Sequence, residues 1–319
     1  MKRRSRLSVA LLLLVLTATV LACGNGGPVR AGGNEPIANQ SPSEGNEVDH
    51  PPGAPSPVKS TPYYRALDAA LTKRGMRLDD FCDVNDEVAR RILEDYGAIY
   101  VGSDQIQVPP VCMFVDGPTV ARWQTQAKFT TATVAGVRID LQPAAMSALQ
   151  AAEEEANAQG VRITPKGGAE GARRSYDATF RLWNSRFQPA LVYWQKRGRL
   201  SREEADHLRG LPIRDQVREV LQTEKRGIFF SKDLSKSILY SVAAPGTSQH
   251  IAMLALDVAE FSDARVRRIL ANHGWFQTVK SDQPHFTYLG RQEKDLPGLG
   301  LRSVQIGAQV FWIPDTTGG

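Results

Sequence analysis

An α+β fold is predicted for this 319-residue chain by three features of its pattern. Segments with helical spacing of apolar residues recur along it, strand-like segments outnumber what a helical bundle needs, and the two kinds do not alternate strictly as a doubly wound parallel sheet requires. The composition, 42% hydrophobic and 23% charged, is that of a globular chain long enough for one large domain or two small ones.

The first 22 residues, MKRRSRLSVALLLLVLTATVLA, place four basic residues and no acid ahead of an apolar stretch that is short for a membrane span and ends in small residues. This order predicts a secretory signal over residues 1–22. Cys23 follows in VLAC, a segment that resembles the lipobox of bacterial lipoproteins; the resemblance implies cleavage before Cys23 and lipidation of that residue. The protein is then expected to be exported and held at a membrane by a lipid anchor, facing the periplasm or cell wall. A soluble secreted protein that begins at a cysteine is the alternative, in the same compartment. Residues 24–60 contain seven glycines and seven prolines but no aromatic residue and no leucine, the composition of a flexible tether. Its root-mean-square span is roughly 30 to 36 Å.

Without the basic residues of the signal, basic and acidic side chains stand at 35 against 34. No basic patch with interleaved aromatics is present, so nothing supports a nucleic-acid partner. With Cys23 assigned to lipid, Cys82 and Cys112 remain as an even pair in an exported chain, for which a disulfide is the economical reading. Two buried thiols, or a zinc site short of ligands, are the alternatives.

The folded part is expected from Thr61, with a cap region over 61–130 of mixed α/β character. YYRALDAALTKRG and NDEVARRILEDYG have helical spacing, each closed by a glycine, and AIYVG and VCMFV read as short strands around Pro109-Pro110. Over 131–319 the pattern runs strand GVRIDL, a helix opening at Pro143, strand VRIT, a glycine-rich turn KGGAEG, and a long helix from about Arg174 to Arg197. SREEADHL opens with Ser201 and Glu204 in capping-box spacing, and IRDQVREVLQ is amphipathic. The last third sets strands IAMLALDV, HFTYLG and VQIGAQVFWI around one helix, SDARVRRILANHG. His50 lies in the tether, His207 on the polar side of its helix, and His273 at a helix end where an imidazole meets free carbonyls.

His250 and Asp257 stand seven residues apart in an apolar run, where an unpartnered imidazole and carboxylate would each cost several kcal/mol, on the order of 2–7 for a neutral group. Two histidines and a carboxylate are a catalytic zinc set with one open position. A regular strand would aim side chains seven apart at opposite faces, so a bulge or a loop-to-strand transition must intervene. His285, with Asp282 three positions before it, closes the set. The competing reading is a polar corner in which His250 and Asp257 bond to each other or to backbone. Ser248 as a nucleophile is disfavoured because no glycine-framed elbow surrounds it.

These segments resemble the VanY-like zinc D-alanyl-D-alanine carboxypeptidases, whose patterns are S-x-H-x-x-G-x-A-x-D and, later, E-P-W-H-F-x-Y. Here the first is Ser248, His250, Met253, Ala255, Asp257 and the second Asp282, Gln283, Pro284, His285, Phe286, Tyr288. Arg174, Ser175, Tyr176 and Thr179 follow the order of the family's R-S-Y-x-x-Q segment. The resemblance spans roughly Gly136 to Gly290 and implies a small antiparallel sheet with flanking helices over 131–319. It further implies one Zn²⁺ on His250, Asp257 and His285, Asp282 as general base, and Arg174, with Ser248 as helper, on a substrate carboxylate or carbonyl oxygen. Arg173 is the rival for that role. Three positions depart from the pattern: Met253 for glycine, Thr179 for glutamine, and Asp282 for glutamate, one methylene shorter. The implied activity is a D-alanyl-D-alanine carboxypeptidase acting on peptidoglycan stem peptides. An endopeptidase or dipeptidase on the same polymer is the alternative among enzymes, and a non-catalytic, metal-retaining wall-binding lipoprotein the alternative outside them.

Overall fold

The computed structural model describes residues 57–318. The expected signal, the lipid-bearing Cys23, His50 and nearly all of the tether lie outside the described residues. The end of the expected tether, Pro57–Ser60, forms a 3-10 turn, and Lys59 pairs with Asp79 at 2.7 Å.

Helix α1 (Pro62–Lys73) buries Tyr63, Tyr64, Leu67 and Leu71 on one face. It closes at Gly75, whose φ of 74° lets the Met76 N–H reach the Leu71 carbonyl at 2.9 Å. A single turn, α2 (Leu78–Phe81), leads to Cys82, and α3 (Glu87–Tyr96) starts on Asp86, which accepts the Ala89 N–H at 2.9 Å. Gly97 ends α3 through close approach: its φ is −77°, and a Cβ there would collide with the Tyr63 hydroxyl, which donates to the Gly97 carbonyl at 2.9 Å.

The two strands expected in the cap do not form. Gly97–Val101 is a 3-10 turn running on from α3, and residues 111–113 bend after Pro109-Pro110. A five-residue apolar run covered on all sides fits either state, and Ala98 to Val101 are all buried. The cap is helical. Cys82 and Cys112 are joined across a separation of 30 residues, a closure worth about 3 to 4 kcal/mol in the chain-entropy account.

After α4 (Gly117–Ala127), strands β1 (Thr130–Val134) and β2 (Val137–Leu141) form an antiparallel hairpin. Helix α5 (Pro143–Ala158) follows, with proline in its first turn. The expected strand VRIT is extended chain without a ladder of its own; Thr164 at its end accepts the Ala259 N–H at 2.9 Å beside the isolated Pro165–Val258 bridge. Ser175 caps α6 (Tyr176–Lys196), and both arms of the Ser201–Glu204 capping box open α7 (Arg202–Gly210), which precedes α8 (Ile213–Lys225). The remaining elements are β3 (Ala255–Asp257), α9 (Ala264–Asn272), β4 (Trp275–Phe276), β5 (His285–Tyr288), β6 (Leu301–Ile306) and β7 (Gln309–Pro314). β3, β5 and β4 make an antiparallel sheet in that order. The final apolar segment, expected as one strand, is the β6–β7 hairpin.

Mixed helices with small antiparallel sheets agree with the α+β expectation. Tyr63, Leu67 and Leu71 share one hydrophobic core with α5 and with Leu256 and Phe286 of the central sheet. A second core lies among α6, α7 and α8 and takes Val88 and Ile92 from α3. Helix α3 therefore has one flank in each core, and its last residue, Tyr96, donates its hydroxyl to the Leu239 carbonyl at 2.9 Å.

Candidate metal centre

His250 stands in a one-turn 3-10 segment, Gln249–Ala252, and Asp257 ends β3. Between them Met253 takes φ 55° and ψ 33°, a left-handed conformation that costs roughly 1–2 kcal/mol with a Cβ present. A glycine would take the same backbone without strain. Met253 adopts it while burying its side chain in the main core. The reversal solves the spacing problem: a turn, rather than seven residues of regular strand, separates His250 from Asp257. Backbone carbonyls of the turn are held from behind by buried amides, Ile251 by Gln124 Nε2 at 2.9 Å and Ala252 by Gln142 Nε2 at 2.8 Å. β3 pairs with β5 so that Asp257 lies directly opposite His285.

Three donor atoms converge as a result. His250 Nε2 and His285 Nδ1 are 3.1 Å apart, and Asp257 Oδ1 is 3.3 Å from each. A tetrahedral zinc with N and O donors at about 2.0–2.1 Å sets donor–donor edges near 3.3 Å, so the triangle has the size that ion requires. Proton placement points the same way. Gln249 Nε2 donates to the Tyr96 carbonyl at 2.7 Å, which fixes the amide orientation and leaves Gln249 Oε1 facing His285 Nε2 at 2.8 Å. His285 must therefore donate from Nε2, and a neutral ring then turns the Nδ1 lone pair into the triangle. Burial pushes the His250 imidazole down to about 4, so that ring is neutral at pH 7. Asp257 is pushed up by burial, yet the facing His250 and His285 rings more than reverse this and hold it below the ordinary carboxylate range. One proton from His250 cannot serve both other atoms well; one divalent cation satisfies all three lone pairs. The His₂Asp set fits a zinc ion.

Surrounding groups orient these donors. Thr287 Oγ1 donates to Gln249 Oε1 at 2.5 Å, Thr278 and Thr287 hydroxyls meet at 2.7 Å, and Gln249 Nε2 reaches Thr278 at 3.4 Å, closing a buried ring of hydrogen bonds behind His285. Arg174 Nη2 donates to Asp257 Oδ2 at 2.8 Å, neutralising the carboxylate oxygen turned away from the triangle. His250 Nδ1 is buried without a hydrogen-bond partner among the described residues. Sequence reasoning missed Gln249, Thr278 and Thr287. The available signal was parity: Thr287 is two residues from His285 and shares its face of β5.

His250 and His285 line a cleft of about 230 Å³ together with Ser248, Asp282 and Arg174. Asp282 sits on the turn before β5, its carbonyl accepting the His285 N–H at 3.2 Å. Its side chain is open to solvent at the rim, and burial of its surroundings raises its carboxyl above the ordinary range, with His285 acting in the opposite direction. Arg174 commits Nε to the Glu170 carbonyl and Nη2 to Asp257, while Nη1 has no acceptor among the described residues. The Ser248 hydroxyl likewise makes no hydrogen bond there. Arg173 is directed elsewhere, pairing with Asp140 at 3.0 Å and lying over the Phe129 ring. Thr179 accepts the Gly246 N–H at 3.2 Å and steadies the loop ahead of Ser248. His273 pairs through Nε2 with Glu155 at 2.8 Å rather than with helix-end carbonyls, and His207 is exposed.

No family model and no curated protein matches the chain. Two solved structures are similar to part of it. One is a mutant of the vancomycin resistance D,D-pentapeptidase VanY from a VanB-type resistance cassette in complex with Zn(II), 18% identical with a TM-score of 0.31 over 52% of this chain and 82% of that one. The other is VanYB in complex with D-alanine-D-alanine, 17% identical with a TM-score of 0.31 over 52% of this chain and 81% of that one.

Proposed function

We propose that the protein is an exported, lipid-anchored zinc peptidase acting on peptidoglycan stem peptides, most simply as a D-alanyl-D-alanine carboxypeptidase. The observation that carries the metal is the triangle of His250, Asp257 and His285 donor atoms at 3.1–3.3 Å, whose two histidines line the cleft. Motif resemblance supplies the substrate, and the leader segment supplies the compartment. A zinc ion contributes a Lewis acid that polarises a carbonyl and brings the pKa of water from 15.7 to about 7. Asp282, which lines the same cleft, accepts a proton from the attacking water and returns it to the leaving amine. Arg174 Nη1 and the Ser248 hydroxyl orient a substrate carboxylate or carbonyl oxygen.

The test is zinc content of the full chain together with release of D-alanine from a peptide ending in D-Ala-D-Ala. One zinc per chain, turnover abolished in His285→Ala, and turnover reduced about 10²- to 10⁴-fold in Asp282→Ala with zinc retained support the reading. Bound zinc without cleavage of any stem peptide favours the non-catalytic wall-binding alternative. Absence of zinc overturns both and leaves the polar corner.

A further inference from the structure

The cleft at the metal centre does not end there. Tyr240, Ser241 and Ser281 line it and also line a second, wider groove of about 760 Å³. Lys232, Lys236 and Lys280 border this groove, all exposed, and none of them forms an ion pair among the described residues. The acid among its lining residues, Asp233, is engaged locally: Ser231 Oγ donates to its carboxylate at 2.6 Å and the Ser235 N–H at 3.4 Å. The wall is not purely polar, since Tyr240 is 48% exposed and Ile306 38% exposed along it. Three ammonium groups against the single carboxylate of Asp233 leave the groove lining net positive, which favours an anionic chain. Two exposed, largely apolar side chains lining the same groove favour one that presents side-chain carbon surface, which a peptide does.

We infer that the groove is an extended substrate subsite for an acidic peptide, its carboxylates meeting Lys232, Lys236 and Lys280 while its bond to be cut lies at the metal centre. This rests on the peptidase reading for the position of the bond, but the binding itself can be measured apart from turnover. The experiment uses the zinc-loaded full chain carrying Asp282→Ala and two fluorescent peptides ending in D-Ala-D-Ala, one with two glutamates ahead of that end and one with two glutamines. Anisotropy is expected to show the glutamate peptide bound about three- to tenfold more tightly. That advantage should disappear when Lys232→Ala, Lys236→Ala and Lys280→Ala are combined, and shrink in 0.5 M salt. Equal affinity for the two peptides, or a preference that survives the triple substitution, overturns the inference. So does tighter lysine-dependent binding of polygalacturonate, which would make the groove a polysaccharide site. Cleavage is read separately on the chain without substitutions: a lysine-dependent acidic preference with no cleavage sinks the peptidase and leaves the groove, and cleavage with no acidic preference does the reverse.

Discussion

Gln249 shows how one uncharged side chain sets the chemistry of a titratable neighbour. Its Nε2 is fixed on a backbone carbonyl, which can only accept, so its Oε1 holds His285 in the tautomer that presents Nδ1 to the centre. Gln249→Ala removes that hold and leaves the Thr287 hydroxyl without its acceptor. The expected result is a loss of zinc affinity of about 10- to 100-fold, read by chelator competition, with the circular dichroism spectrum unchanged. Unchanged affinity would mean that β5 packing alone orients the ring. The pattern of ligand-type residues at 250, 257 and 285 was legible in the sequence, because metal ligands come from few residue types at recognisable spacing. Gln249 was not, because a glutamine next to a histidine has no distinctive spacing and its partners Tyr96, Thr278 and Thr287 are remote in the chain.

Among the elements, the helices were the easiest to read. Pro143 and the Ser201–Glu204 box mark starts through fixed φ and local hydrogen bonding, and the structure has helices at both. Short apolar runs misled, as in the cap, because burial on all sides erases the period that distinguishes strand from turn. The connection after α8 is pinned by Glu224, which accepts the Ile238 N–H at 2.7 Å and the Phe230 N–H at 3.4 Å. Burial raises this carboxyl above its ordinary value of 4.5, against the pull of those hydrogen bonds. A raised acid favours the protonated folded state, so its contribution to stability is greatest below pH 4.5 and is lost as pH climbs through the folded value. Glu224→Gln, which keeps an acceptor but cannot ionise, is expected to lose less stability than the natural chain between pH 4 and pH 8. Urea unfolding at both pH values checks it; parallel losses would show that Glu224 does not titrate in this range.

At the scale of the whole molecule, the three donor atoms meet only when the turn at Met253 and the β3–β5 pairing are both in place. A zinc ion held by them would bind the folded chain and not the unfolded one, and at one hundred times its Kd would add about 2.7 kcal/mol of stability. Chelation with EDTA should lower the thermal midpoint and zinc should restore it, whereas a midpoint indifferent to both would mean that no metal is held. The sequence by itself determined the helix starts at Pro143 and Ser201, the cysteine pair and the three candidate ligand residues, because capping, cysteine count and ligand chemistry are properties of short segments. The choice of Arg174 over Arg173 for the cleft, the ring of hydrogen bonds behind His285, the core shared between cap and central sheet, and the continuity of the metal cleft with the lysine groove were decided only by the tertiary structure. Each depends on contacts between remote segments, Gln249 with Tyr96 at a separation of 153 residues among them, and no local period or spacing encodes which distant side chains a packed interior will bring within hydrogen-bonding distance.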